Sequence, residues 1–332
     1  MKVAFVGKGG SGKTTLAALL ARSLADSGAP VLAIDADINQ HLAVALGLSE
    51  AESAAMPAMG AQLAMIKEHL RGTNPRITSA SAMVKTTPPG RGSRLVRVQE
   101  TNPIFERLSR PVAGTRLLVT GPFGEEGLGV ACYHSKVGAA ELLLNHLADR
   151  RCEYVVVDMT AGADAFASGM FTRFDLTVLV AEPTLRSVSV YRQYRHLGRE
   201  HDVAIAVVGN KVQGGEDVEF LREHVGEALV TCVEQSSIVR AMEKGRSMSI
   251  GDLEPENLAA LASIRSAIDR QPRNWERFHR QAVEFHLRNA RAWANAAVGD
   301  DLSVQVDPCF SMAAAVADGE RGVSDALALS IS

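Results

Sequence analysis

The chain predicts an α/β fold, a doubly wound and mainly parallel sheet with helices on both faces, a helical and loop insertion, and a C-terminal helical extension. Three observations carry this. Short β-branched runs alternate with helical stretches along most of the 332 residues. The runs are apolar almost throughout, as strands covered on both faces are, rather than alternating with polar residues. The first run leads through a glycine-rich turn, Gly7 to Thr15, directly into an Ala/Leu-rich helix.

Lys2-Val3-Ala4-Phe5-Val6 reads as the first buried strand, and Thr15 to Asp26 as a helix with no breaker. Further strands are expected at Val31 to Ile34, Arg116 to Val119, Tyr154 to Val157, Leu176 to Val180, Ala204 to Val208 and Leu229 to Val233. Between about Ser49 and Gly114 the alternation stops, and a run such as Thr87-Pro88-Pro89-Gly90-Arg91-Gly92 marks a helical and loop excursion. Its basic residues, Lys67, Arg71, Arg76, Lys85, Arg91, Arg94 and Arg97, suit either partner recognition or a solvated face. The α/β domain is taken as residues 1–270 and the extension as 271–332. In the extension, Trp275, Phe278, Ala282, Phe285, Asn289 and Ala292 fall at helical spacing among Arg277, Arg280, Arg288 and Arg291. Such a basic amphipathic helix either lies on a membrane or packs on the core or a second protomer. From Gly299 onward the chain is small and polar, and a mobile tail is expected.

A net charge of −3 offers no global attraction to nucleic acid or an anionic membrane surface, so any such contact must be local. The four cysteines, Cys132, Cys152, Cys232 and Cys309, form no C-x-x-C pair, which argues against a disulfide framework or a zinc finger. The first strand begins at once, with neither an apolar signal region nor a membrane-spanning run, and a cytoplasmic location is expected.

The turn Gly7-Lys8-Gly9-Gly10-Ser11-Gly12-Lys13-Thr14-Thr15 fits the phosphate-loop pattern G-x-x-x-x-G-K-[ST] in its required strand and helix context. Gly7, Gly9, Gly10 and Gly12 lack a Cβ, so the backbone can take positive φ and aim successive N–H groups at a polyphosphate. The following helix adds its positive dipole end. Lys13 would neutralise the β and γ phosphates, Thr14 would occupy one position on Mg²⁺, and Thr15 would sit near the α-phosphate. A glycine-rich turn that binds nothing is the alternative. Val155-Val156-Val157-Asp158 ends a buried strand with a carboxylate suited to the Mg²⁺ shell, and Gly162 beyond it can offer its N–H to the γ-phosphate. Asn210-Lys211 stands where a base-reading asparagine belongs. A guanine site would have Asp at the fourth position of N-K-x-D; Gln213 stands there instead, which favours adenine and makes ATP the expected nucleotide. Glu182-Pro183 and the stretch after Val233 are expected to wall the base pocket.

Lys8 departs from the ordinary loop, and KGGSGKTT resembles the deviant signature K-G-G-x-x-G-K-[ST]. Families with that signature include chromosome-partition and septum-site ATPases, arsenite-pump and tail-anchored-protein targeting ATPases, the nitrogenase iron protein and the nickel-insertion ATPases of carbon monoxide dehydrogenase. The resemblance implies a nucleotide-dependent homodimer in which Lys8 reaches the partner subunit's nucleotide; a solvated loop lysine is the alternative. It also implies that Asp37 of Asp35-Ala36-Asp37 orients the attacking water or holds a Mg²⁺-bound water. The alternative is that Asp37 caps a helix from Ile38 onward.

The stretch Gly127 to His134 falls where such families differ. The nitrogenase iron protein shares a cluster between subunits through two cysteines each, and here Ala161 to Ala167 offers no second one. The nickel-insertion ATPases have a C-x-C pair hereabouts, and Val130-Ala131-Cys132 keeps one cysteine of it. Cys132 and His134 from two protomers would make a Cys₂His₂ set compatible with Zn²⁺ or Ni²⁺. An inert Cys132 beside a packing His134 is the alternative. Asp158 to Gly162 and Glu182 to Ser187 are more similar to the nickel-insertion group than to the partition group. Three readings follow: a dimeric Mg²⁺-dependent ATPase that serves metallocentre maturation through a client protein, a partition or positioning ATPase, and a nucleotide switch with negligible turnover.

Overall fold

The computed structural model describes residues 1–122, 134–160, 162, 166 and 168–318. Eight strands form one sheet in the spatial order β3-β4-β2-β5-β1-β6-β7-β8. They are β1 (Lys2–Gly7), β2 (Val31–Ala36), β3 (Arg110–Val112), β4 (Thr115–Val119), β5 (Tyr154–Met159), β6 (Leu176–Ala181), β7 (Ile205–Val212) and β8 (Leu229–Glu234). β1, β2, β5 and β6 are buried at every position, as continuous apolar runs covered on both faces must be.

Helices α1 (Lys13–Asp26), α2 (Leu42–Leu46) and α10 (Pro255–Asp269) cover one face, where Leu16, Leu20, Leu42, Leu261 and Ile264 share a core with Phe5 and Val178. The other face holds α4 (Leu63–Arg71), α6 (His134–His146), α7 (Leu185–Gly198) and α8 (Gly215–Val225), which bring Ile66, Leu143, Tyr191 and Leu221 against Val155 and Leu179. Because β1 lies between β5 and β6, the turn after it emerges in the middle of the sheet's carboxyl edge. Register then aligns Phe5 with Asp158 and Asp158 with Asp35, which gathers the strand-end carboxylates beside that turn.

The structure differs from the expected elements in three places. β3 pairs antiparallel with β4 and closes one sheet edge; its Arg-Pro-Val is too short and too exposed to show the pattern of a buried strand. The helix after β2 begins at Leu42 rather than at Ile38. β7 continues through Asn210 to Val212 across a register shift, with Lys211 at φ 59°, so Asn210 sits on an irregular strand end instead of beyond it.

Within 49–114 the chain forms α3 (Glu50–Ala54), α4 and α5 (Pro103–Leu108) beside the expected loops. Several of its basic residues serve the chain itself. Lys85 Nζ lies 3.9 Å from Glu141, while Arg91 and Arg76 lie 2.8 and 3.9 Å from Asp307. α11 (Trp275–Asn289) turns Phe278, Gln281, Ala282 and His286 inward. The Arg173 guanidinium lies 4.3 Å from the Phe278 ring, and Arg173 Nη1 donates to Phe278 O at 2.9 Å. The apolar stripe of this helix is thus covered by its own chain. Leu302, Gln305, Asp307, Met312 and Val316 are buried as well. The mobility expected from Gly299 onward therefore does not extend over the packed residues up to 318. Apolar residues spaced among the polar ones anchor that segment. Among the described residues, no helix is long and apolar enough to cross a membrane.

Candidate nucleotide site

The loop after β1 depends on glycine at two crowded positions. Gly7 takes φ 146°, and a Cβ there would stand 2.5 Å from Val180 O of β6. Gly12 takes φ 95°, and a Cβ there would stand 2.2 Å from the Asn210 amide nitrogen. That amide donates to Ser11 O at 2.7 Å, and Ser11 N donates to Lys8 O at 3.1 Å. α1 starts at Lys13 without a side-chain cap, so the N–H groups of its first turn have no intrahelical partner. A loop of this shape at a helix N-terminus is a ready anion site. Ser11 Oγ is buried with no partner among the described residues, and Gly9 and Gly10 border open space.

Two aspartates meet the loop, Asp158 at Thr14 and Asp37 at Lys13. Thr14 Oγ1 donates to Asp158 Oδ2 at 2.6 Å, while Asp158 Oδ1 is buried without a partner among the described residues. Burial pushes the Asp158 carboxyl up to about 7, opposed by the Thr14 hydroxyl and Lys13 and reinforced by Asp37. A hydroxyl beside a carboxylate with a spare buried oxygen suits a hard cation that also takes phosphate and water. Among the described residues no group of three or more His, Cys, Asp or Glu gathers as a self-sufficient metal site.

Asp37 Oδ2 lies 3.9 Å from Lys13 Nζ, and both side chains are buried. Asp37 Oδ1 accepts from Asn39 N at 3.0 Å and closes a local turn. It does not cap α2. The first N–H of α2, from Leu42, goes to Asp35 Oδ2 at 2.9 Å, and Asp37 N goes to Asp35 Oδ1 at 3.2 Å. Burial, followed by the Asp158 charge, holds Asp35 well above the usual carboxylate range. Gln40, at φ 54°, donates to Asp37 O at 2.8 Å and to Thr120 Oγ1 at 3.1 Å, which ties the Asp37 turn to the end of β4. Sequence reading missed Asp35 and Gln40 as positioning residues. A carboxylate inside an apolar strand was the available signal for Asp35; Gln40 had none.

Glu182 accepts from Lys211 Nζ at 2.7 Å and lies 3.7 Å from Lys8 Nζ. Lys211 Nζ also donates to Gly10 O at 2.7 Å. The signature lysine therefore rests on its own subunit's Glu182 here. Beside Asn210 and Lys211 opens a cavity of about 380 Å³, bounded by Gly12, Thr15, Gln235, Ser236, Arg240 and Glu243 among others. The stretch after Val233 forms its wall, whereas Glu182 and Pro183 stand outside its lining. Thr15 Oγ1 donates to Glu243 Oε1 at 3.3 Å across its mouth.

Gly162, at φ 71°, accepts at its carbonyl from Tyr194 Oη at 3.1 Å. Phe166 packs between Phe171 and Tyr194, each ring centroid 4.6 Å away. The expected metal pair falls outside this description: Cys132 is not among the described residues, and of His134 only its place as the first residue of α6 is.

A glycine-rich loop at a helix N-terminus, a cavity beside it and buried carboxylates suit a nucleotide-binding fold, and the model of the CobQ/CobB/MinD/ParA nucleotide-binding domain matches residues 3–248. The chain belongs to this family. This MinD/ParA-family ATPase is 32% identical over 258 residues to the carbon monoxide dehydrogenase accessory protein CooC of Rhodospirillum rubrum, covering 77% of this chain and 91% of that protein. It is 29% identical over 231 residues to an uncharacterised ATP-binding protein of Methanocaldococcus jannaschii, covering 69% and 81%. Its fold matches MinD in the MinC–MinD cell division complex of Aquifex aeolicus, with a TM-score of 0.53, 18% identity, and 82% and 97% of the two chains covered. It also matches MinD with Mg-ADP from Pyrococcus horikoshii, with a TM-score of 0.52, 15% identity, and 81% and 97% covered. The family domain ends before α10 and α11, so the C-terminal extension lies outside it.

Proposed function

We propose that this MinD/ParA-family chain is a Mg²⁺-dependent ATP-hydrolysing switch that works as a homodimer, similar to the nickel-insertion ATPases of metallocentre maturation. The observation that carries the proposal is Asp158: its Oδ2 holds Thr14 and its Oδ1 is buried without a partner among the described residues, beside the ammonium of Lys13. Lys13 and the loop N–H groups hold the β and γ phosphates, and Thr14 with Asp158 would hold Mg²⁺. When bound, that ion draws charge from the phosphates. Asp37, beside Lys13, would orient a water in line with the γ-phosphate. Asn210 and the wall from Gln235 to Glu243 receive the adenine. Gly162 meets the γ-phosphate and reports it to the segment after β5.

Lys8 supplies the second subunit's contribution in this proposal. Nucleotide at the interface competes with Glu182 for the Lys8 ammonium, so dimerisation and release of that pair go together. The metallocentre role leans on the similarity to CooC and on Cys132 with His134 as donors of a Zn²⁺ or Ni²⁺ ion shared across the dimer. The partition or positioning alternative rests on the arginines of α11, of which Arg280 and Arg288 are exposed, while Phe278 and Ala282 on its apolar side are buried by the chain.

Turnover, sedimentation and metal titration test these parts in turn. Lys13→Ala should abolish ATP hydrolysis, and undiminished turnover would sink the site assignment. ATP with Mg²⁺ should raise the dimer fraction of the wild type and not of Lys8→Ala; an equal rise in both removes the cross-interface role. Anaerobic Zn²⁺ or Ni²⁺ titration should reach one ion per dimer and fail in Cys132→Ser, and equal binding by that variant ends the metal reading.

A further inference from the structure

On the face of the sheet opposite α1, helices α7 and α8 enclose a pocket of about 400 Å³ lined by Tyr191, Arg192, Arg195, His196, Arg199 and His224. Its floor is the buried ring of Tyr191, whose hydroxyl donates to Val225 O at 3.5 Å. The three arginines are exposed, and none has an ion pair or hydrogen bond among the described residues. Elsewhere in the chain Arg71, Arg76, Arg91, Arg265, Arg273 and Arg288 each hold a carboxylate. Three like charges converging on one concavity repel one another unless an anion fills it. Guanidinium groups bind carboxylates in paired hydrogen bonds, which suits such a ligand.

We infer that this pocket is a docking site for an acidic peptide segment of a partner protein. Two observations favour a peptide over a nucleic-acid backbone. Arg192, Arg195 and Arg199 converge on a single concavity, whereas a duplex presents phosphates along a length. Glu200 and Glu223 adjoin Arg199 and His224 in the chain, and they would repel an extended polyanion while leaving room for one or two carboxylates. The chain's net charge of −3 acts in the same direction.

The site also has a route to the nucleotide. Tyr194, between Arg192 and Arg195 on α7, donates to Gly162 O at 3.1 Å and stacks on Phe166. Tyr194 thereby links Gly162 to the helix that carries Arg192 and Arg195. Docking stands independently of the proposed ATPase cycle, and only its coupling to nucleotide rests on that reading.

Fluorescence anisotropy of a labelled oligoglutamate peptide against the full chain at low salt tests both parts. Saturable binding is expected, weakened at least about tenfold in the paired variant Arg195→Ala/Arg199→Ala and unchanged in Arg107→Ala/Arg110→Ala, exposed arginines outside the pocket. Arg192→Gln gives a second reading, with a smaller loss, if the paired variant fails to fold. No saturable binding, or equal weakening in the control pair, overturns the docking site. Tighter binding of duplex DNA that the same pocket substitutions abolish overturns it in favour of nucleic acid. A peptide affinity unchanged by a non-hydrolysable ATP analogue with Mg²⁺ removes the coupling and leaves the docking.

Discussion

A Cβ on Gly12 would stand 2.2 Å from the Asn210 amide nitrogen, and φ 95° adds left-handed strain for any L side chain. Gly12→Ala should therefore abolish detectable binding of a fluorescent ATP analogue while circular dichroism stays native. Asp158 offers a pH test. Its carboxyl is pushed up to about 7, so below that value a proton occupies the group that would ligate Mg²⁺. Apparent Mg²⁺ affinity in the presence of ATP should fall by about tenfold per pH unit below 7, and Asp158→Asn should be weak and flat across the same range. A wild-type profile without that slope would remove Asp158 from the ion's shell. At this scale Lys13, Thr14 and Asp158 were legible because turn chemistry and strand ends declare them locally. Asp35 was not, because its role depends on which amides, those of Asp37 and Leu42, the folded loop turns toward it.

Helix α6 carries Glu141 into the junction of the insertion, the segment around Gly169 and the C-terminal helix. Burial pushes its carboxyl up to about 7, although Lys85 and Arg173 oppose the rise. The unfolded chain ionises this group near the ordinary glutamate value, so between that value and about 7 the native state binds a proton that the unfolded state has released. Stability accordingly falls as pH rises through this window and levels off above it. Glu141→Gln should shrink the drop in Tm between about pH 5 and pH 8, by an amount equivalent to roughly 2–3 kcal/mol at most. An unchanged drop would assign the pH dependence elsewhere. The helix itself was legible as part of the alternation. Its charged contacts were not, since Lys85 and Arg173 approach from distant stretches of chain.

At the scale of the whole molecule, the insertion and the C-terminal extension hold each other. Thr87 Oγ1 donates to Gln305 Oε1 at 3.0 Å, Gln305 Nε2 donates to Ala82 O at 2.8 Å, and Arg91 pairs with Asp307. Val84 shares a small core with Ala290, Ala294 and Leu302. Deleting residues 299–332 would uncover that core and leave Arg91 unpaired. Tm should fall by several degrees, while ATP affinity stays within about twofold because the nucleotide loop lies on the far edge of the sheet. An unchanged Tm would show the extension to be dispensable for stability. The positions of the buried strands, the phosphate loop and the strand-end carboxylate Asp158 could be read from local pattern, because hydrophobic period, glycine placement and strand-end acids are properties of short stretches. The antiparallel edge strand β3, the parking of Lys8 on Glu182, the burial of Asp35 and the docking of residues 299–318 all waited on packing. Each is set by register or contact between segments far apart in the chain, and no short window of residues contains that information.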